Sequence, residues 1–218
     1  MTQEPQRRLH RSPRFYLVPI ILLSISIALL LWEVTRANLP KAVLAQLPFA
    51  PVTIGIAPAA AFSGVLAGLL LARSQYVATN QPYITGHGSG WRPSGRKGRW
   101  SLTVHNVGAG LATVTAVEFL VGIRGTSDEP KWSDFDQARS SLSALGYQSG
   151  RDFDIHELSP GLPLKPATDR TNGVLVFSLA RSVASDLSRF EIRIRFVNPL
   201  GDEYEWQKDL TRPILESL

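Results

Sequence analysis

Cysteine is absent from the 218 residues, so no disulfide, thiolate metal site, haem thiolate or cysteine nucleophile belongs to this chain. Charge is missing from two long runs, Phe15–Trp32 and Ala42–Ala72. A helix needs about 20 mostly apolar residues to cross the hydrocarbon core, so each run predicts a membrane span, and the pair argues against a freely soluble cytoplasmic enzyme. Neither run holds an acidic, basic or histidine side chain, unlike proton relays and ion-coupled transporters, which place ionisable groups at depth. Acidic residues are missing again from the end of the second run to Glu118.

What charge there is sits unevenly within a net +5. Arg7, Arg8, Arg11 and Arg14 precede the first run against Glu4 alone, and Arg73, Arg92, Arg96, Lys97 and Arg99 follow the second. Positive residues beside spans favour the cytoplasmic side, so both termini are expected there, in a bacterial inner (plasma) membrane. The poor cleavage site Thr35-Arg36-Ala37 argues for an uncleaved first span over a signal peptide. Residues 100–218 hold more acids than bases, so no nucleic-acid partner is expected.

The first span is bracketed by Phe15 and Tyr16 at one end and Trp32 at the other, rings that favour the headgroup level. Pro19 is expected in or near its first turn, and residues 39–48 as a short surface-lying turn of helix. In the second span Ala60, Gly64, Gly68 and Ala72 recur every fourth residue as a stripe of small side chains. Such a stripe lets backbones approach closely, either to the first span of the same chain or to a second copy. Pro58 is expected to kink this helix.

The expected layout is a basic cytoplasmic tail (1–14), a two-helix transmembrane hairpin (15–72), a Gly-rich basic linker (73–99) and a β-rich cytoplasmic domain (100–218). In the last, Trp100–Val107 alternates as a half-buried strand, Asn106-Val107-Gly108-Ala109-Gly110 turns, and Leu111–Ile123 returns. Ser133–Leu145 predicts a helix with Ser133 and Asp136 as a capping box, and Ala180–Ser188 a second short helix or turn. Phe190, Ile192, Ile194 and Phe196 alternate with charge, Asn198–Asp202 reverses the chain, and Tyr204 and Trp206 continue the buried face. Five or six strands around a small core predict a mostly-β domain with one or two short helices. A β-sandwich is the first expectation and a small barrel the alternative.

The two spans, the Leu102–Ala112 strand–turn–strand and the Phe190–Asp209 hairpin together resemble uncharacterised bacterial two-span membrane proteins with a cytoplasmic immunoglobulin-like β-sandwich. The layout is also similar to two-span β-barrel effectors of nucleotide-signalled antiphage defence. The first resemblance implies a display domain for protein partners, the second a ligand-triggered, self-associating membrane effector.

Chemistry-bearing motifs are few. Gly86-His87-Gly88-Ser89-Gly90 lacks the lysine of a phosphate loop and the flanking glycines of a nucleophile turn, so it is expected to be flexible linker. Asp152, Asp154 and His156 sit two apart, and on a strand would share one face suited to a divalent cation. Without a second ligand cluster the plainer reading is an exposed face. His105 is expected on the polar side of its strand. No cofactor is expected. The expected function is non-enzymatic: an inner-membrane protein presenting a cytoplasmic β-sandwich for protein–protein interaction. The alternative is the membrane effector oligomerising through its helices. A membrane-tethered metal-dependent hydrolase at Asp152, Asp154 and His156 comes third. Partners are then the lipid bilayer and either another protein or a second copy.

Overall fold

The computed structural model describes residues 6–10, 13–44, 46, 54–90, 98–126, 129–167 and 173–216. The chain divides into a helical unit, Ser12–Thr79, and a β-rich unit built from Met1–Arg11 and Asn80–Leu218.

The helical unit holds α1 (Pro13–Asn38), a single turn α2 (Lys41–Leu44) and α3 (Ile56–Thr79). Two helices, Leu17–Asn38 within α1 and α3 itself, are long and apolar enough to cross a membrane. Their outer surfaces are apolar: Leu17, Ile21, Leu31, Val65, Leu69 and Leu71 are all exposed. Two proline expectations change. Because α1 starts at Pro13, Pro19 falls inside the helix, not in its first turn. Because α3 starts at Ile56, Pro58 sits in a first turn, where no N–H is needed, and it has no reason to kink the helix. The turn predicted over residues 39–48 is α2, with Leu47 and Pro48 outside the described residues.

Among the described residues the buried positions are Ser26 and Glu33 on α1 and Ala59, Leu66 and Val77 on α3. The Ser26 and Ser63 hydroxyls hydrogen-bond across the pair at 2.7 Å. α1 runs past Trp32 and so takes in Glu33 and Arg36. The Glu33 carboxylate accepts from Arg36 Nη2 at 2.8 Å and from the Ile54 N–H at 2.8 Å, tying the chain just ahead of α3 back to the end of α1.

The β unit contains β1 (Gln6–His10), β2 (Ile84–Ser89), β3 (Arg99–Asn106), β4 (Ala112–Ile123), β5 (Trp132–Ser133), β6 (Phe153–Ile155), β7 (Pro163–Leu164), β8 (Val174–Ala180), β9 (Leu187–Val197) and β10 (Glu203–Asp209). Helices α4 (Phe135–Ala144), α5 (Arg181–Asp186) and α6 (Thr211–Glu216) complete it. One sheet runs β1-β10-β9-β4-β5, with β7 also on β4; the other runs β2-β3-β8-β6. All these pairings are antiparallel.

One apolar core is shared by both sheets. Trp100, Leu102, Phe177 and Leu179 come from the second sheet, and Phe119, Phe190, Ile192, Ile194, Phe196, Tyr204 and Trp206 from the first. Phe177 meets Phe190 edge-on with centroids 4.8 Å apart, and Trp100 stacks on Phe177 at 5.6 Å. The closing hairpin follows its alternation: Phe190, Ile192, Ile194 and Phe196 of β9 are buried, and Arg193 and Arg195 bond Glu118 and Glu205 on the other face.

Four expectations are corrected. The basic tail is not all tail, since Gln6–His10 pairs with β10 as an edge strand. The linker over 73–99 is shorter than expected. Helix α3 continues to Thr79 and Ile84–Ser89 is β2, while Arg92, Arg96 and Lys97 lie outside the described residues. Gly86 and Gly88 looked like flexibility but make room for rings. A Cβ on Gly86 would stand 2.7 Å from Trp206, and one on Gly88 2.5 Å from Trp100. The helix expected from Ser133 starts one turn-defining residue later. Asp134 is its N-cap, accepting from Gln137 N–H at 2.8 Å, while the Ser133 hydroxyl donates to the Phe119 carbonyl as part of β5.

Candidate functional site

The β10 edge gathers the side chains that sequence patterning did not bring together. Opposite it, Gln6 faces Trp206, Arg7 faces Glu205 and Arg8 faces Tyr204, with a shift before His10 meets Glu203. Gln6 reaches across to the other sheet. Its Nε2 donates to the Pro82 carbonyl at 3.0 Å, and its Oε1 accepts from the Ile84 N–H at 3.1 Å. Arg8 donates to the Tyr204 hydroxyl at 3.1 Å and lies over the same ring, 5.3 Å from its centroid. Lys208, at the far end of β10, donates to the Gly86 carbonyl at 2.8 Å. The two sheets are thus stitched along this side by polar side chains from both ends of the chain.

Beyond the edge lies a charged ladder. Arg193 donates to Glu118 at 2.8 Å and Arg195 to Glu205 at 3.1 Å, while the Arg193 guanidinium sits 4.2 Å from the Trp132 ring centroid. The hydrogen bond to Glu205, with the charges of Glu118, Glu205 and Glu203 around it, holds Arg195 above its ordinary pKa despite partial burial. These cations are matched, so the face is a set of partly buried ion pairs that neutralise one another.

The metal candidates separate. Only Asp154 lies within β6, between the buried Phe153 and Ile155. Its carboxylate bonds Arg99 at 2.5 Å, and Arg99 also donates to the Gly150 carbonyl at 2.8 Å and to that of Arg151. Asp152 turns to the Gln148 N–H at 2.9 Å, and His156 is exposed beyond the end of the strand. Among the described residues no group of three or more His, Cys, Asp or Glu side chains is placed to hold a metal ion. Beside this segment Tyr147 donates to Asp186 at 2.5 Å, and burial, reinforced by that carboxylate, pushes its hydroxyl up to about 12. A groove of about 430 Å³ opens between β4, the start of α4 and residues 156–160, lined by Glu118, Asp134, Asp136, His156 and Glu157 among others. Glu118 and Asp134 are already engaged there, by Arg193 and by the α4 backbone.

The small-residue stripe is on the uncovered side of α3. Ala60, Gly64, Gly68 and Ala72 are all exposed, and a Cβ on Gly64 or Gly68 would meet nothing within 4 Å. The intrachain contact uses Ala59, Ser63 and Leu66 instead.

Asn106 anchors the Asn-x-Gly-x-Gly turn as a bonding hub. It is 2% exposed; its Oδ1 accepts from Tyr83 and Gly108 N–H, both at 3.1 Å, and its Nδ2 donates to Gly110 and Leu164 carbonyls at 2.7 and 2.8 Å. A Cβ on Gly110 would overlap the Asn80 carbonyl, so the glycine admits the crossing of the 80–83 segment. His105, expected on a polar face, is buried because the Gly173 backbone lies against its ring.

Compared with known proteins, the chain matches no family model and no curated protein.

Proposed function

We propose that the chain is a two-span protein of the bacterial inner membrane that holds a β domain on the cytoplasmic side and engages a protein partner with it, without catalysing a reaction. The observation that carries this reading is the β1–β10 pairing. It joins a segment ahead of the first apolar helix to a domain behind the second, so both flanks must lie on one side of any membrane the two helices cross. The arginines at positions 7, 8, 11 and 14 then favour the cytoplasm as that side.

The strand order supports an immunoglobulin-like sandwich. β2-β3-β8-β6 follows the A-B-E-D sheet of a constant-type domain and β10-β9-β4 its G-F-C sheet, with β5 added beside β4. Such domains recognise proteins through edges and loops, and here the β10 edge carries the side chains brought in by topology. Two measurements test the reading. Reporter fusions at each terminus should both report cytoplasm; opposite sides would end it. Mild-detergent extraction followed by mass determination of the intact complex should find a stoichiometric second protein.

A second reading, an effector that oligomerises through its helices, is favoured by the exposed stripe at Ala60, Gly64, Gly68 and Ala72. It expects a homo-oligomer in the same mass measurement, membrane damage on activation, and loss of both in Gly64→Leu with Gly68→Leu. Oligomers and toxicity that survive the double substitution would remove it.

A further inference from the structure

Strand β1 is outermost on its sheet, held by its ladder with β10 and by the Gln6 and Arg8 side chains rather than by core packing. Arg7, Arg8, Leu9 and His10 are exposed, and the register breaks between Arg8 and His10. None of its residues belongs to the apolar core, whereas Tyr204 and Trp206 beneath it are buried and β10 pairs with β9 from Glu203 to Asp209. β1 can therefore leave without removing a core side chain. What its departure uncovers is a row of backbone N–H and C=O groups, the template to which an extended peptide adds as a new strand. The side chains along that row suit a basic peptide: Glu203 stands opposite His10 and the Tyr204 ring receives Arg8, while Glu205, opposite Arg7, is already held by Arg195.

We propose that the β10 edge is a docking edge kept closed by the chain's own tail, and that an extended basic segment of a partner joins the sheet only once Gln6–His10 has let go. This rests on the reading of the β unit as a protein-binding module, and makes the tail its built-in competitor. The covalent path adds a consequence: α1 begins at Pro13, so the strand that must be displaced is attached to the start of the first apolar helix.

The absence of native cysteine gives a clean test in the full chain in mild detergent. Directly opposite residues of an antiparallel ladder have Cα atoms about 4.5–5.5 Å apart, inside the span of about 4.4–6.8 Å that a disulfide bridges. Arg7→Cys with Glu205→Cys should oxidise to lock β1 in place and reopen on reduction. The probe is a fluorescent peptide with the sequence of residues 4–12, beside the same peptide with both inner arginines replaced by glutamate. Reduced protein should bind the basic peptide at least about tenfold more tightly than oxidised protein, because a closed edge lowers apparent affinity by the fraction of open molecules. The acidic peptide should bind neither form. Equal binding to both forms, no binding to the reduced form, or failure of the pair to oxidise would overturn the proposal.

Gln6→Ala with Arg8→Ala loosens the tail without touching β10 and should bind the peptide more tightly than wild type; unchanged binding counts against the idea. Failure of the protein-binding reading shows separately, as an extracted complex that contains no second protein with the tail locked or released.

Discussion

Replacing Asn106 by alanine isolates the contribution of a single buried amide to the β domain. Two of its four bonds, to the Gly110 and Leu164 carbonyls, are buried, and two, from Tyr83 and Gly108, are partly buried. A buried group left without its partner costs about 1–3 kcal/mol and a bond whose partner can turn to water about 0.5–1 kcal/mol, so the loss sums to about 3–8 kcal/mol, centred on about 5. For a domain of this size that is a fall in Tm of roughly 15 °C. Aspartate at 106 has nearly the same shape but sets an oxygen against both carbonyls, so it should be at least as damaging. Thermal unfolding of the full chain in mild detergent, followed by near-UV circular dichroism, measures both. If Asn106 were held only by packing, the aspartate variant would melt near wild type. That result, or a fall below about 3 °C in both variants, would refute the hub.

Gly88→Ala should destabilise the domain by about 1–3 kcal/mol by pressing on the Trp100 ring, whereas Gly90→Ala, with open space around it, should change little; equal urea midpoints would deny the contact. Absorbance titration should find one of the five tyrosines holding its proton to about pH 12, and Tyr147→Phe should abolish that component. Because the folded value lies above the ordinary one near 10, this group's share of stability is whole below about pH 10 and is lost as pH rises towards 12. Flat stability across that window would contradict the assignment. Ser63→Ala removes the hydroxyl pair between α1 and α3 and should cost only about 0.6 kcal/mol in detergent; a loss above about 2 kcal/mol would mean the pair does more than join two helices.

Local pattern was enough where structure is local. The β9–β10 hairpin was legible because a two-residue period sorts Phe190, Ile192, Ile194 and Phe196 from their charged neighbours, and the turn at Asn198 supplies its own bonds to Leu200 and Asp202. The apolar helices were legible from their lack of charge. Strand β1 was not: five residues with two arginines carry no hydrophobic alternation, and their partner lies at the other end of the chain. Gly86 and Gly88 misled for a related reason, since the tryptophans that need their space belong to other strands. Asp154 looked available until Arg99, a residue expected in the linker, was found to occupy it. Helical spacing placed Gly64 and Gly68 on one face but carried no information on which face α1 covers.

The place of β1 also sets the order in which the protein can be finished. Gln6–His10 emerges from the ribosome before either apolar helix, yet β10 is made only after both. The tail must therefore wait through synthesis of both apolar helices and of nearly the whole domain, and its pairing is among the longest-range contacts the chain makes. Non-local closures of this kind come late in folding. A chain stalled short of Glu203 would carry an orphan basic strand, and one in which only one of the two apolar helices crossed a bilayer would leave strand and edge on opposite sides. Closure of this edge is thus a late mark of correct assembly.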